Sequence, residues 1–436
     1  MSTSLEVSEI DAAHRAGLRV ETRSARPRGR LSRIGETLAL ATLFAFSLEA
    51  ACRIEDWVEF RTAIFARERS QEDLLVRDRL GMHGRPAGHF QKWSLNALGM
   101  RGPEVASPRP PFVLRVVTAG ASETFGLYES PGREYPRQLE DTLNARLRDH
   151  RTACGVGRAQ VLNAAMPGMS LPTIDQDIRL RVKQLDPDVV VLYATPSAYL
   201  DDAVPVAARP DSTNHAAQRL PPRYALMPRV AARIRVQLKA LLPTVFQDRI
   251  RRKEISAMVA HHPANWRFDS VPVERLKMFE ADLRQAVGSI RSAGATPVLV
   301  THANRFVGSA ILDVATLRAW EKFYPRASGR TIAAFDSAAR LRTIAVARDS
   351  VAVLVDLAPT LARTQGRAFA DYSHFTDFGA ALVAASVSGS ILAASSDSFR
   401  TLCESSRYSN CARSTDRCAS AARLDKRVLD SPDRVQ

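Results

Sequence analysis

The chain has 436 residues and a formal net charge of +15, with 45% hydrophobic and 25% charged residues. This balance supports a packed core of one large or two ordinary domains and excludes a wholly disordered chain. The positive excess is mostly arginine spread along the sequence. Zinc-finger spacing, a recognition-helix pattern and basic stretches interleaved with aromatics are all missing, so no nucleic-acid partner is expected.

Residues 1–33 form a basic segment with Arg15, Arg19, Arg23, Arg26, Arg28, Arg30 and Arg33. The most apolar run follows, from Leu38 to Leu48 inside a stretch from Ile34 to Ala51 that approaches the ~17-residue lower limit for a bilayer span. Basic residues ahead of such a run predict a single-pass membrane anchor over 34–52, with the N-terminus cytoplasmic and the remainder exported. Glu49 is a cost to that reading. Two others stay open. One is a cleaved signal peptide, against which stand a long basic region and no clean small-residue cleavage site before Cys52. The other is a buried amphipathic helix.

Residues 53–75 read as a charged helix. From 76 to 111 the glycines and prolines of His83-Gly-Arg-Pro86, Gly99–Pro103 and Pro108–Pro111 mark an irregular lead-in. Strands then alternate with helices: strand Phe112–Val117, helix Pro136–Arg148, strand Val161–Leu162, helix Ile174–Leu185 and the β-branched strand Val189–Leu192. After an insertion over 201–265, proline-rich to 230, come helix Val273–Ala293, strand Pro297–Val300, helix Thr331–Ala347, strand Val351–Val355 and helix Phe378–Ala394. This alternation predicts one α/β domain over 112–395, a three-layer α/β/α sandwich on a mainly parallel five-stranded sheet. Residues 396–436 are polar and read as a disordered tail.

In such sheets chemistry gathers beyond the carboxyl ends of the strands. Gly120-Ala-Ser122-Glu-Thr-Phe-Gly126 follows the first strand. A serine at that turn projects its hydroxyl toward the sheet mouth, and its amide, aided by the positive end of the next helix, can face a developing oxyanion. Serine also caps helices at such places. Near the other end, Asp371-Tyr-Ser-His374 can supply the base and the orienting carboxylate that a serine nucleophile needs. Asp377 sits as close in sequence to His374 and suits the cap of the last helix. His302, just past the fourth strand, is on the substrate edge of the sheet. His261-His262 reads as a solvated loop. Cys52 and Cys154 stand alone, and Cys403, Cys411 and Cys418 match no zinc pattern. No metal or cofactor is expected.

These blocks together resemble the SGNH/GDSL hydrolase family, in its membrane-anchored bacterial branch. The nucleophile block resembles Gly120–Gly126, followed by Glu134-Tyr-Pro-Arg-Gln-Leu139. The second block resembles Val161-Leu-Asn-Ala-Ala-Met-Pro-Gly168, and the last Asp371-Tyr-Ser-His374. Trp93–Glu104 is similar to the lead-in of anchored members. The resemblance implies a flavodoxin-like SGNH fold and a triad of Ser122, His374 and Asp371. It also implies an oxyanion hole that includes the amides of Ser122 and Gly168. The sequence departs from the family at Ala121, where aspartate is usual, and at Tyr193-Ala-Thr-Pro-Ser-Ala-Tyr199, which lacks the family's Gly-x-Asn-Asp. Ser197 falls about where that asparagine would stand. Thr195 and Asn304 are alternative donors, and both, with His302, are candidate substrate contacts. The implied activity is ester hydrolysis through an acyl-enzyme, on an acylated glycan or lipid ester outside the cytoplasm. An O-acyltransferase on the same triad, and an inactive glycan-binding or assembly protein, are the alternatives.

Overall fold

In a computed structural model of the chain the described residues are 30–60, 63–65, 71–106, 109–149, 156–201, 229–230, 234, 238, 241–308 and 313–404. The basic segment to Gly29, most of 202–240 and the tail from 405 lie outside them.

Helix α1 (Arg30–Phe60) runs unbroken through the apolar stretch and the start of the predicted charged helix. That second helix ends at Phe60 and does not continue to 75. A short 3-10 turn, Gln71–Leu74, leads into two antiparallel hairpins. In the first, β1 (Leu75–Asp78) pairs with β2 (Gly81–Gly84); in the second, β3 (His89–Phe90) pairs with β4 (Trp93–Ser94). The lead-in is therefore ordered by strand pairs too short and glycine-rich to show a period of two.

The core is one parallel sheet of β5 (Val113–Gly120), β6 (Arg158–Asn163), β7 (Val189–Tyr193), β8 (Thr296–Val300) and β9 (Val353–Val355), in spatial order β6-β5-β7-β8-β9. Every residue of β5 and β7 is buried, as continuous β-branched runs require when both sheet faces are covered. Alternate side chains serve opposite faces. Val117, Leu162, Val190 and Leu299 pack on the side of α4 (Leu171–Leu180), α6 (Val273–Ser292) and α8 (Gly329–Asp349). Leu114, Val116, Val191, Val298 and Val300 pack under α3 (Tyr135–Asp149) and α10 (Asp377–Glu404). This is the expected three-layer sandwich.

Four shorter or peripheral helices complete the described residues: α2 (Ser122–Phe125), α5 (Thr244–Val259), α7 (Val314–Phe323) and α9 (Ala358–Ala362). The helix predicted over 174–185 breaks at Leu180 and resumes as a 3-10 turn, Val182–Leu185. The last helix passes the boundary set at 396 and reaches Glu404; the rest of the predicted tail, from 405, lies outside the described residues.

Because β5 lies between β6 and β7, successive crossovers leave it in opposite directions, and a crevice opens at their carboxyl ends. Residues after β5, β6 and β7 meet there.

Among the described residues two helices, α1 within Ile34–Glu59 and α10 within Asp377–Ala394, are long and apolar enough to cross a membrane. α10 buries Ala380, Val383, Ala384 and Val387 completely, which identifies it as a core helix. α1 leaves nearly all its apolar side chains uncovered. Its Glu49 is not left bare: the carboxylate accepts from Arg53 Nε at 2.9 Å and from the Val230 amide at 3.2 Å.

Candidate active site

The Ser122 turn is built by close packing at the end of β5. A Cβ on Gly120 would lie 2.2 Å from Thr124 Oγ1 and 2.8 Å from the Tyr193 carbonyl, so only glycine allows α2 to fold back against β7. Ser122 opens α2, which has only four residues. A helix that short has little macrodipole, so the expected helix-end contribution gives way to the single Ser122 amide. Arg101 secures the turn from below. Its guanidinium donates to the carbonyls of Phe125 and Gly126, pairs with Glu134 at 3.2 Å, and its own amide bonds the Asn163 carbonyl. Asn163 Nδ2 donates to the Thr124 carbonyl at 3.0 Å. The lead-in, β6 and the Ser122 turn are thus one bonded unit.

His374 comes from the loop before α10. Its Nε2 lies 2.9 Å from Ser122 Oγ and its Nδ1 lies 2.8 Å from Asp371 Oδ2. The other oxygen of Asp371 accepts the amides of Ser373 and His374, each at 2.9 Å, which fixes the carboxylate in its own turn. An ionised carboxylate only accepts, so Nδ1 carries the proton and Nε2 is left to accept from the serine. Asp377, the competing carboxylate in the sequence, instead accepts the Ser130 amide at 2.8 Å. Burial opposes the charged imidazole of His374. The bond to Asp371 and the negative charges of Glu123, Asp371 and Glu129 outweigh it and move the pKa upward. Tyr128 and Tyr372 flank the ring at 5.2 and 6.0 Å.

Gly168 sits beyond β6 at the third position of the turn Met166–Met169, closed by the Met169 amide on the Met166 carbonyl. Proline before it and a φ of +84° give a type II turn, which requires glycine here. The Gly168 backbone is exposed, and its amide has no acceptor among the described residues.

The candidate donors at the ends of the other strands are arranged differently. Thr195 donates its hydroxyl to Glu123 Oε2 at 2.9 Å. Ser197 is buried. His302 is buried between Glu123, at 3.5 Å, and Asp336, at 2.6 Å. Asn304 is also buried, donating to Asp336 and accepting the Phe306 amide. The expectation that His302 and Asn304 line the substrate edge is therefore corrected: both form an interior layer beneath the triad. His261 and His262 are exposed as expected, and His262 stacks on Trp266 at 3.9 Å.

Sequence reasoning passed over Glu123. Its carboxylate is buried, accepts from Thr195 and from Ser373 at 3.1 Å, lies 3.3 Å from Ser122 Oγ, and faces His302. Burial alone would raise its pKa, but the bond with His302 and the charges of His374 and His302 hold it down, at about 2. A charged residue closing an otherwise apolar strand-turn block was the available signal. Glu129 was missed too; burial pushes its carboxyl up to about 7.

A cavity of about 80 Å³ on the β6 side is lined by Arg101, Glu104, Glu140 and Arg158 and holds no triad residue. No three-residue cluster of His, Cys, Asp and Glu suited to a metal occurs among the described residues. Cys52 is buried and unpaired.

No family model and no curated protein matches the chain. Among solved structures it is similar to the lipase/acylhydrolase from Enterococcus faecalis, at 14% identity over 64% of this chain and 94% of that one, with a TM-score of 0.36. A variant of an acetyl xylan esterase from Geobacillus stearothermophilus gives 13% identity, 64% and 94% coverage and a TM-score of 0.35. A lipolytic protein of the G-D-S-L family from Desulfitobacterium hafniense gives 12% identity, 64% and 99% coverage and a TM-score of 0.34. Likenesses this distant carry no weight for activity, which rests on the site's own geometry.

Proposed function

We propose that the chain is a serine ester hydrolase of the SGNH/GDSL type, working through an acyl-enzyme and held to a membrane by α1. One observation carries this reading: an unbroken chain from the Ser122 hydroxyl through the His374 ring to the Asp371 carboxylate, at 2.9 and 2.8 Å.

Each group then has a defined task. Ser122 Oγ attacks the acyl carbonyl as its proton passes to His374 Nε2, and Asp371 stabilises the resulting imidazolium. The amides of Ser122 and Gly168 receive the negative oxygen of the tetrahedral intermediate. When the C–O bond to the alcohol breaks, His374 returns its proton to the leaving oxygen. Water attacks the acyl-serine next, deprotonated by the same imidazole, and the carboxylic acid and free Ser122 are released.

The exposed apolar length of α1, preceded in sequence by arginines, supports a catalytic domain outside the cytoplasm. The substrate class that suits this placement is an O-acylated glycan or lipid ester. Labelling with a fluorophosphonate probe tests the chemistry: the wild type is expected to label and Ser122→Ala not to. A wild type that fails to label would favour the non-catalytic binding reading. Supplying an acetyl donor and a glycan separates transfer from hydrolysis, through acetylated glycan or free acetate.

A further inference from the structure

Helix α5 carries its polar and apolar sides in the reverse of the usual order. Toward the domain it presents charge: Asp248 pairs with Arg318 at 3.0 Å, Glu254 with Lys322, and Arg251 donates to the Ala315 carbonyl at 3.2 Å. Away from the domain it presents Val245, Phe246 and Ile250, exposed by 71%, 56% and 44%. Just before the helix, across Leu242 and Pro243, Leu241 is also exposed, by 78%. Exposed basic residues Arg249, Arg252 and Lys253 lie within and just beyond this ridge, Arg252 also pairing with Asp248 at 2.9 Å.

The chain upstream of this helix, at residues 229–230, is fastened to α1. Arg229 Nε pairs with Asp56 at 3.1 Å, and the Val230 amide bonds the buried Glu49. The contacts fall at the C-terminal end of the apolar helix, where a membrane-spanning α1 would meet the interface. An outward apolar ridge with basic residues along it, its upstream chain tied to that level, matches an element lying in the plane of a bilayer with phosphates beside its cations.

We propose that the segment from Leu241 to Lys253 rests on the surface of a bilayer containing anionic lipid, its apolar side chains among the acyl chains and its basic residues at the headgroups. This rests on the reading of α1 as an anchor. It adds a second point of attachment that fixes the orientation of the catalytic domain over the membrane.

The test uses the full chain, with its native cysteines replaced by serine, in vesicles of phosphatidylcholine and phosphatidylglycerol. Nitroxides are placed singly through Leu43→Cys, Leu241→Cys and Val245→Cys, and collisions with oxygen and with a water-soluble nickel chelate are compared. The labels at 241 and 245 are expected to favour oxygen and to meet the chelate several-fold less than a label on an exposed polar site, with weaker shielding in phosphatidylcholine alone. A water-exposed label at 245 beside a lipid-immersed label at 43 would overturn the inference and leave the anchor standing. A water-exposed label at 43 would instead remove the anchor. Spin–spin broadening between labels at 245 on two copies would overturn the lipid assignment in favour of self-association.

Discussion

The hydroxyl of Thr195 donates to Glu123 Oε2 at 2.9 Å, directly beneath the Ser122 turn. A hydroxyl has one proton, so this bond removes Thr195 from the donors available to a developing oxyanion. Ser197 is buried. At the position where the resemblance leads one to look for an asparagine side chain, the Thr195 hydroxyl is therefore already engaged.

Thr195→Val is therefore expected to lower kcat/KM for an activated ester by less than about tenfold. A true oxyanion donor would cost roughly 10²–10³ in rate. A loss in that higher range, at unchanged thermal stability, would return Thr195 to the oxyanion hole.

The two carboxylates near His374 separate cleanly by substitution. Asp371→Asn keeps an oxygen for the Ser373 and His374 amides but upsets the imidazole tautomer, and the loss in kcat is expected to be about 10⁴. Asp377→Asn still offers an oxygen to the Ser130 amide and leaves turnover within a few-fold. Initial rates of the two variants, with circular dichroism to establish folding, decide the assignment.

The pH response follows from two opposite shifts. His374 is raised above its ordinary 6.5, because the Asp371 bond and nearby negative charges outweigh burial. Its contribution to stability is full below 6.5 and fades as the pH rises through the folded value. Glu123 is buried, yet His302 and His374 depress it from 4.5 to about 2, so its contribution is present above 4.5 and is lost as the pH falls toward 2. Glu123→Gln removes a negative charge facing His374. The acid limb of kcat/KM should then move to lower pH, where the wild-type limb lies above 6.5. A lowered plateau with an unmoved limb would leave Glu123 only a packing role.

Gly120→Ala tests how tightly the Ser122 turn is packed. The added methyl meets Thr124 Oγ1 at 2.2 Å and the Tyr193 carbonyl at 2.8 Å. The expected cost is about 1–3 kcal/mol, read as a lower denaturation midpoint. An unchanged midpoint would show that the turn relaxes freely.

The strands were legible because runs such as Val189–Leu192 are apolar without interruption, a pattern that burial on both faces imposes. Ser122 could be singled out because it follows such a strand, and Asp371 and His374 because their spacing before the last helix suits a base and its orienting carboxylate. The layer of Glu123, Thr195, His302, Asn304 and Asp336 was not. Its bonds join residues as far apart as Glu123 and Ser373, and nothing in local spacing reveals such a contact. The hairpins over 75–94 escaped notice for a different reason: strands of two to four residues carry too few positions to display alternation.

Arg101 reaches from the lead-in to the carbonyls of Phe125 and Gly126, and this bears on where the catalytic unit begins. By strand count the α/β unit starts near Phe112, and a shortened chain cut there would keep all five strands of the sheet. It would also strand Glu134 as a carboxylate without its cation and leave two inward-facing carbonyls bare. A fragment that keeps these bonds must therefore reach back at least to Arg101, with that part of the lead-in counted in the α/β unit and not as a tether.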